Sequence, residues 1–272
     1  MSLLALDISN SHTTLGIFKD KELTAHWTVA SDIRRTSDEW YLVLQGLVTR
    51  TTLAEVTAVS VCCTVPSIQV EIREMIDRYY SKAPVSIVGP GVKTGVPINT
   101  DNPKEVGADR IVNALAVSEL YGGPAIVVDM NGTATIFDVV DEKGAYLGGA
   151  IAPGVEISLE ALARRGAQLR SVELASPRGV VGKNTVEALQ SGVVYGFAGQ
   201  VDGIVNRMID AMGADPDHVT VVVTGSYPEA VVDHCETITA RDPFLTLTGL
   251  RLVHEKNHDR GSSAARDQLL ER

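Results

Sequence analysis

The chain has 272 residues, enough for one large or two small domains at about 100–200 residues each. With 44% apolar and 21% charged residues it has the make-up of a globular protein, which excludes disordered, collagen-like and coiled-coil chains. Acidic residues outnumber basic ones 34 to 24, so there is no broad positive field to hold a nucleic-acid backbone. A bound anion must be held by local devices such as backbone amides, a cation or a single arginine.

In chain order, an apolar run at residues 3–6 ends in Asp7 and gives way to Ser9, Asn10 and Ser11. A second run at 13–18 and a turn at Lys19-Asp20-Lys21 lead into 22–29, so the chain is expected to open with three antiparallel strands. Helical spacing follows at 37–48, a strand at 56–61, a helix at 66–80, a strand at 85–88 and a helix at 108–121. The opening pattern then returns: an apolar run at 125–128 ends in Asp129, Asn131-Gly132-Thr133 are small, and further runs at 134–140 and 145–151 flank a turn at 141–144. This reads as an internal duplication. Helices at 155–163 and 185–212, a strand at 219–223 and a closing helix at 244–255 complete the second half. Val186, Leu189, Val193, Phe197, Val201, Ile204 and Met208 recur at helical spacing up to Gly213. The expected division is an N-terminal lobe at 1–115, a C-terminal lobe at 116–257 and a flexible polar tail at 258–272.

Cys62, Cys63 and Cys235 lack metal-ligand spacing, and buried thiols in a reducing compartment are expected. The N-terminus is not a basic segment followed by a long apolar one, and no run of 18 apolar residues occurs; the expectation is a cytoplasmic protein without a membrane partner. The six histidines show no zinc-binding spacing. A P-loop is excluded because its nearest match, at 177–184, has Pro177 in place of the first glycine and Asn184 in place of the metal-binding hydroxyl.

Three loops share one design, an apolar strand running into small or hydroxylated residues: Asp7-Ile8-Ser9-Asn10-Ser11-His12-Thr13, Asp129-Met130-Asn131-Gly132-Thr133 and Thr224-Gly225-Ser226. Small residues let backbone N–H groups approach phosphate oxygens, and a carboxylate at the strand end suits a metal ion or its water shell. The alternative is a tight turn after each strand. In Asn102-Pro103-Lys104-Glu105-Val106-Gly107-Ala108-Asp109-Arg110, Gly107 interrupts one helical start and predicts a restart that puts Asp109 and Arg110 in a first turn. There Asp109 is a candidate base and Arg110 a grip for a small carboxylate or phosphate. The alternatives are a surface Asp–Arg pair and a pairing of Arg110 with Asp129. Asn184 and Glu187 have capping-box spacing, which places Thr185 at the first helical position, an end suited to a polar ligand group.

Taken in order, Asp7-x-x-Asn10, Asp101-Asn102-Pro103 with Gly107-Ala108-Asp109-Arg110, Gly148-Gly149-Ala150-Ile151-Ala152-Pro153-Gly154, Gly182-Lys183-Asn184-Thr185 and Ser191-Gly192 resemble the type III pantothenate kinases over residues 3–257. The resemblance implies an α/β protein with duplicated actin-like, ribonuclease H-like lobes (the acetate and sugar kinase, Hsp70 and actin fold), each a mixed five-stranded sheet flanked by helices. It also implies a homodimer with a dimerisation helix in the second lobe, and ATP-dependent phosphorylation of pantothenate in coenzyme A synthesis with Mg²⁺ and a monovalent cation (K⁺ or NH₄⁺). By position, Asp7, Ile8, Ser9, Asn10, Ser11, His12, Thr13, Thr14 and Thr133 would hold ATP, and Thr224-Gly225 would lie near the adenosine. Asp129 would bind the monovalent cation. Gly107, Ala108, Asp109, Arg110 and Thr185 would contact pantothenate, with Asp109 accepting its hydroxyl proton. The chain departs from the family pattern at Ser9 (usually Gly), Ser11 (usually Thr), the Asn131-Gly132 loop (one residue longer), Ser226 (usually Gly) and Thr100 (often Tyr). These departures leave open a catalytically impaired paralogue that keeps dimer and pocket as a binding or regulatory protein, or a kinase for another small hydroxy acid.

Overall fold

A computed structural model of the chain describes residues 1–49, 56–165 and 172–258. The elements are β1 (Ser2–Ile8), β2 (His12–Lys19), β3 (Glu22–Ala30), α1 (Ser37–Val48), β4 (Ala58–Cys63), α2 (Pro66–Tyr79), β5 (Val85–Ile87), α3 (Ala108–Tyr121), β6 (Ala125–Met130), β7 (Ala134–Val140), β8 (Tyr146–Pro153), α4 (Val155–Arg165), α5 (Thr185–Met212), β9 (Thr220–Thr224), α6 (Glu229–Val232), β10 (Ala240–Arg241) and α7 (Leu245–His258). A 3-10 turn, Pro103–Glu105, precedes α3, and another, Pro216–His218, precedes β9. The four-residue α6 and two-residue β10 are too short to leave a periodic signal in sequence.

The strands form two five-stranded mixed sheets, β3-β2-β1-β4-β5 and β10-β9-β6-β7-β8. In each, an antiparallel meander is extended by two parallel strands. The duplication holds at the level of register. Leu3 faces Phe18 on one side and Ala58 on the other, as Ala125 faces Val140 and Thr220, and the same shift carries Asp7 onto Asp129. Both second strands bulge at the equivalent place, Ile17/Phe18 and Val139/Val140. The two opening hairpins are therefore equal in length. The expectation of two similar α/β sheets is borne out.

Each sheet covers its apolar face with its own helices. β1 is buried throughout, as the centre of a sheet covered on both faces must be, whereas β3 alternates between half-buried and exposed. Trp40 and Leu44 of α1 and Ile68, Ile72 and Met75 of α2 pack with Leu4, Leu6, Ile17 and Val59. In the second core, Val193, Ala198, Val201, Val205 and Ile209 of α5 pack with Ile126, Val128, Phe137, Val221 and Val223. Helix ends follow sequence chemistry. Thr36 and Glu39 form a reciprocal capping box on α1, Pro66 opens α2, Asn184 caps α5, and Gly213, at φ 61°, ends it.

The chain forms two compact units: Met1–Gly95 with Lys104–Ala116 and the segment from Thr246, and Val96–Pro103 with Val117–Leu245. The structure differs here from a split of the chain at one point. The closing helix, expected in the second lobe, belongs to the first unit because Gly249 of α7 approaches the α3 backbone too closely for a side chain. The polar tail from 259 lies outside the described residues. Among the described residues no helix is long and apolar enough to cross a membrane. All three cysteines are free; Cys62 is buried, while Cys63 and Cys235 are half-buried rather than fully so.

Candidate active site

In the first unit, Asp7, 8% exposed, is the penultimate residue of β1, and register places Asp7 opposite Thr14 and Ile8 opposite Thr13. The turn between them is closed by Ser9, whose backbone N–H and hydroxyl both donate to the His12 carbonyl, at 3.1 and 2.8 Å. Among the described residues Asp20 is the only non-glycine with positive φ. Ser9 therefore takes ordinary backbone, and its β-carbon causes no strain. The Thr13 hydroxyl, buried, pairs with Ser31 Oγ at 2.8 Å, and the Ser11 carbonyl accepts the Ser31 N–H at 3.0 Å, so the residue just after β3 steadies the turn. Ser11, His12 and Thr14 are half-buried and Asn10 is exposed. Beside the turn, burial pushes the Cys63 thiol pKa up and the Asp7 charge adds to that.

The equivalent position in the second unit is Asp129, 7% exposed. The following turn runs through Gly132 at φ 70°, with the Thr133 N–H donating to the Asn131 carbonyl at 2.8 Å. Gly154 lies against it; a β-carbon there would fall 2.2 Å from the Gly132 carbonyl oxygen. Gly225, at φ 83°, lies under the carboxylate, and a β-carbon there would fall 2.6 Å from Asp129 Oδ1. The third loop, Thr224-Gly225, is thus brought onto the second by the β6–β9 pairing, in which Asp129 faces Thr224. Thr224 is fully buried, and among the described residues its hydroxyl has no hydrogen-bond partner. Sequence reasoning named Gly154 within a motif without giving it a role; its signal was a glycine directly after a strand.

The restart predicted at Gly107 is present. The 3-10 turn gives way to α3, and the Gly107 carbonyl accepts the Ile111 N–H at 3.3 Å. A β-carbon on Gly107 would fall 2.4 Å from Asp109 Oδ1, so the carboxylate folds back over the glycine. Ala108, Asp109 and Arg110 are half-buried in the first turn. Burial pushes the Asp109 carboxyl pKa up; the backbone N–H of Arg110, and then its charge, pull it down without cancelling the rise. This is the direction a proton acceptor needs.

In the second unit Thr185 is the first residue of α5, exposed, next to Asn184, whose Oδ1 accepts the Glu187 N–H at 2.9 Å. The expected reciprocal half of that box goes instead to Lys183, whose N–H donates to Glu187 Oε2 at 3.0 Å. Gly182 passes against this first turn, where a β-carbon would fall 2.4 Å from the Ala188 nitrogen. Upstream, Ile98 bridges to Tyr146 of β8, which lays Thr100 near Gly148. Residues 7–14 and 107–110 therefore belong to the first unit, and Asp129, Thr133, Thr185 and Thr224-Gly225 to the second.

A family model described as type III pantothenate kinase matches residues 3–207. A type III pantothenate kinase of Thermobifida fusca is 57% identical over 257 residues, covering 94% of this chain and 99% of that protein. One from Streptomyces griseus is 56% identical over 264 residues, with 95% and 99% covered. Among solved structures, the activator of 2-hydroxyisocaproyl-CoA dehydratase from Clostridium difficile, with bound ADPNP, superposes with a TM-score of 0.57 at 14% identity, covering 98% of both chains. A ROK hexokinase from Thermus thermophilus gives 0.52 at 16% identity, covering 95% of this chain and 99% of that one. At such identities these neighbours speak for the fold alone, the duplicated actin-like architecture. The matched span and the near-full-length identity together place the chain in the type III pantothenate kinase family.

Proposed function

We propose that the protein transfers the γ-phosphoryl group of ATP to the primary hydroxyl of pantothenate, giving 4′-phosphopantothenate, the first step of coenzyme A biosynthesis. The observation that carries this reading is the 57% identity, over 94% of the chain, to a relative named for that activity. The altered loop residue Ser9 gives no reason to prefer a silent paralogue, since it closes its turn in ordinary backbone.

In this mechanism residues 7–14 and Thr133 hold the ATP phosphates through backbone amides and hydroxyls, with Thr224-Gly225 toward the adenosine. Gly107, Ala108, Arg110 and Thr185 bind pantothenate, the Arg110 guanidinium taking its carboxylate. Asp109 accepts the hydroxyl proton as the new oxygen–phosphorus bond forms and the bond to the ADP oxygen breaks. Because the carboxylate is drawn back over Gly107 and its pKa is raised by burial, it is oriented and more basic than a solvated aspartate.

The buried Asp129 carboxylate, seated over a glycine whose β-carbon would displace it, suits a monovalent cation, K⁺ or NH₄⁺. Asp7 is the strand-end carboxylate suited to the water shell of Mg²⁺. These cations would supply charge neutralisation for the triphosphate. Exposed apolar side chains of the second unit, Ile151 at 66%, Val181 at 85% and Val186 at 50%, suit a homodimer contact. The adjacent free thiols Cys62 and Cys63 suit a reducing, cytoplasmic setting.

The test is turnover. Protein incubated with ATP, pantothenate, Mg²⁺ and K⁺ is expected to form 4′-phosphopantothenate and ADP in equal amounts, as read by mass spectrometry. Absence of that product from folded protein, or product from another hydroxy acid only, would overturn the reading.

A further inference from the structure

Helix α7 lies beyond the residues matched by the family model. Within the first unit it has two sides. Toward α3, Thr246 Oγ1 donates to Asn113 Oδ1 at 2.8 Å, with both residues buried, and Gly249 lies so close that a β-carbon would fall 2.4 Å from the Val112 carbonyl oxygen. Toward the first sheet, the Leu250 carbonyl accepts the buried Ser60 hydroxyl at 2.9 Å. Leu247 covers Gly16 of β2, and the Arg251 guanidinium carbon lies 5.8 Å from the Phe18 ring centroid. Ser60 is in register with Ala5 of β1, the strand that carries Asp7. Asn113 lies one helical turn beyond Asp109 on the same stripe of α3. One helix thus packs on β2 and β4, the two neighbours of the strand that carries Asp7, and on the second turn of the helix whose start bears Asp109.

We propose that Thr246 and Gly249 are positioning residues that fix Asp109 relative to the Asp7 turn by clamping the second turn of α3. The inference rests on the reading of Asp109 as the proton acceptor. A first helical turn lacks intrahelical partners for its N–H groups, so its place is set by whatever holds the next turn. In-line transfer is intolerant of error, with a 1 Å misplacement costing about 10²-fold in rate. An alanine at Gly249 would have to move its new carbon roughly 1 Å away from the Val112 oxygen to reach ordinary contact. Alanine is also the better helix former, so α7 itself persists.

The experiment compares Thr246→Val, Thr246→Ser, Gly249→Ala and Asp109→Asn with the parent, by steady-state kinetics at a temperature where melting curves show every variant folded. Thr246→Val is expected to lower kcat about 10-fold and Gly249→Ala up to about 10²-fold, with KM for ATP within about twofold of the parent and Thr246→Ser restoring the rate. A lower Tm with unchanged kcat in Thr246→Val and Gly249→Ala, or no rescue by serine, overturns the proposal. Should Thr246→Val not fold, Ser60→Ala on the opposite side of α7 carries the same test: a loss in kcat with KM for ATP kept supports the clamp, and a normal kcat overturns it. If Asp109→Asn is as active as the parent, the proton-acceptor reading itself fails. An inactive Asp109→Asn beside a normal Thr246→Val sinks the clamp alone.

Discussion

Gly225→Ala isolates the contact that seats the Asp129 carboxylate. At φ 83° the position lies in the left-handed region, which costs an L-residue about 1–2 kcal/mol. The added carbon would sit 2.6 Å from Asp129 Oδ1, where a carbon–oxygen contact needs about 3.3 Å, so the carboxylate must retreat by roughly 0.7 Å. The Asn131 β-carbon and the Met130 carbonyl carbon, both 3.5 Å from the same point, are already in van der Waals contact, so a shift toward either tightens another contact. Overpacking of this kind costs about 1–3 kcal/mol. Together the two penalties come to about 2–5 kcal/mol, a fall in Tm of roughly 4–20 °C for a protein of this size. Thermal denaturation with and without KCl, paired with kcat as a function of K⁺, reads both consequences: lower stability, and activation by K⁺ moved to higher concentration. A Tm within about 1 °C of the parent together with an unchanged K⁺ response would refute the argument that Gly225 is required by the carboxylate above it.

Burial raises the Asp109 pKa above its ordinary value of 3.8, so the acid limb of kcat/KM lies above that of a solvated aspartate, and Asp109→Asn loses at least about 10²-fold in kcat. The same shift costs stability. The folded state binds the proton more tightly, so the cost is absent below about pH 4 and complete above the raised folded value. Asp109→Asn therefore matches or exceeds the parent in Tm at neutral pH, with the difference shrinking on acidification; a variant less stable at pH 7 than at pH 4, relative to the parent, contradicts this. Asn184→Ala removes the side-chain acceptor for the Glu187 N–H and should cost about 1 kcal/mol, or roughly 2–4 °C in Tm, measured by denaturation; no change means the α5 start is held by other contacts. Burial, reinforced by Asp202, pushes the Cys235 thiol up to about 12, and burial also raises Cys63. An aromatic disulfide reagent at pH 8 should modify these thiols slowly in the native protein and quickly after unfolding, and a fast native thiol would contradict the burial.

Periodicity and punctuation in the chain determine its elements. The runs ending in Asp7 and Asp129, the turn residues after them, and the helix ends at Asn184 and Gly213 are local signals, readable because hydrogen-bond partners a few residues apart decide them. The restart at Gly107 is of the same kind. Tertiary structure alone decided what depends on distant pairing. Gly225 is required by Asp129 only because β9 runs parallel to β6 in that register. Gly154 is required by the Gly132 turn only because β8 returns beside β7. The closing helix has no sequence mark saying which sheet it covers; Gly249 and Thr246 settle it by meeting Val112 and Asn113 across more than a hundred residues. A single chain prints which residues are small, polar or apolar, but which of them touch is fixed by packing in three dimensions, where a missing side chain matters only against the atoms that fill its place.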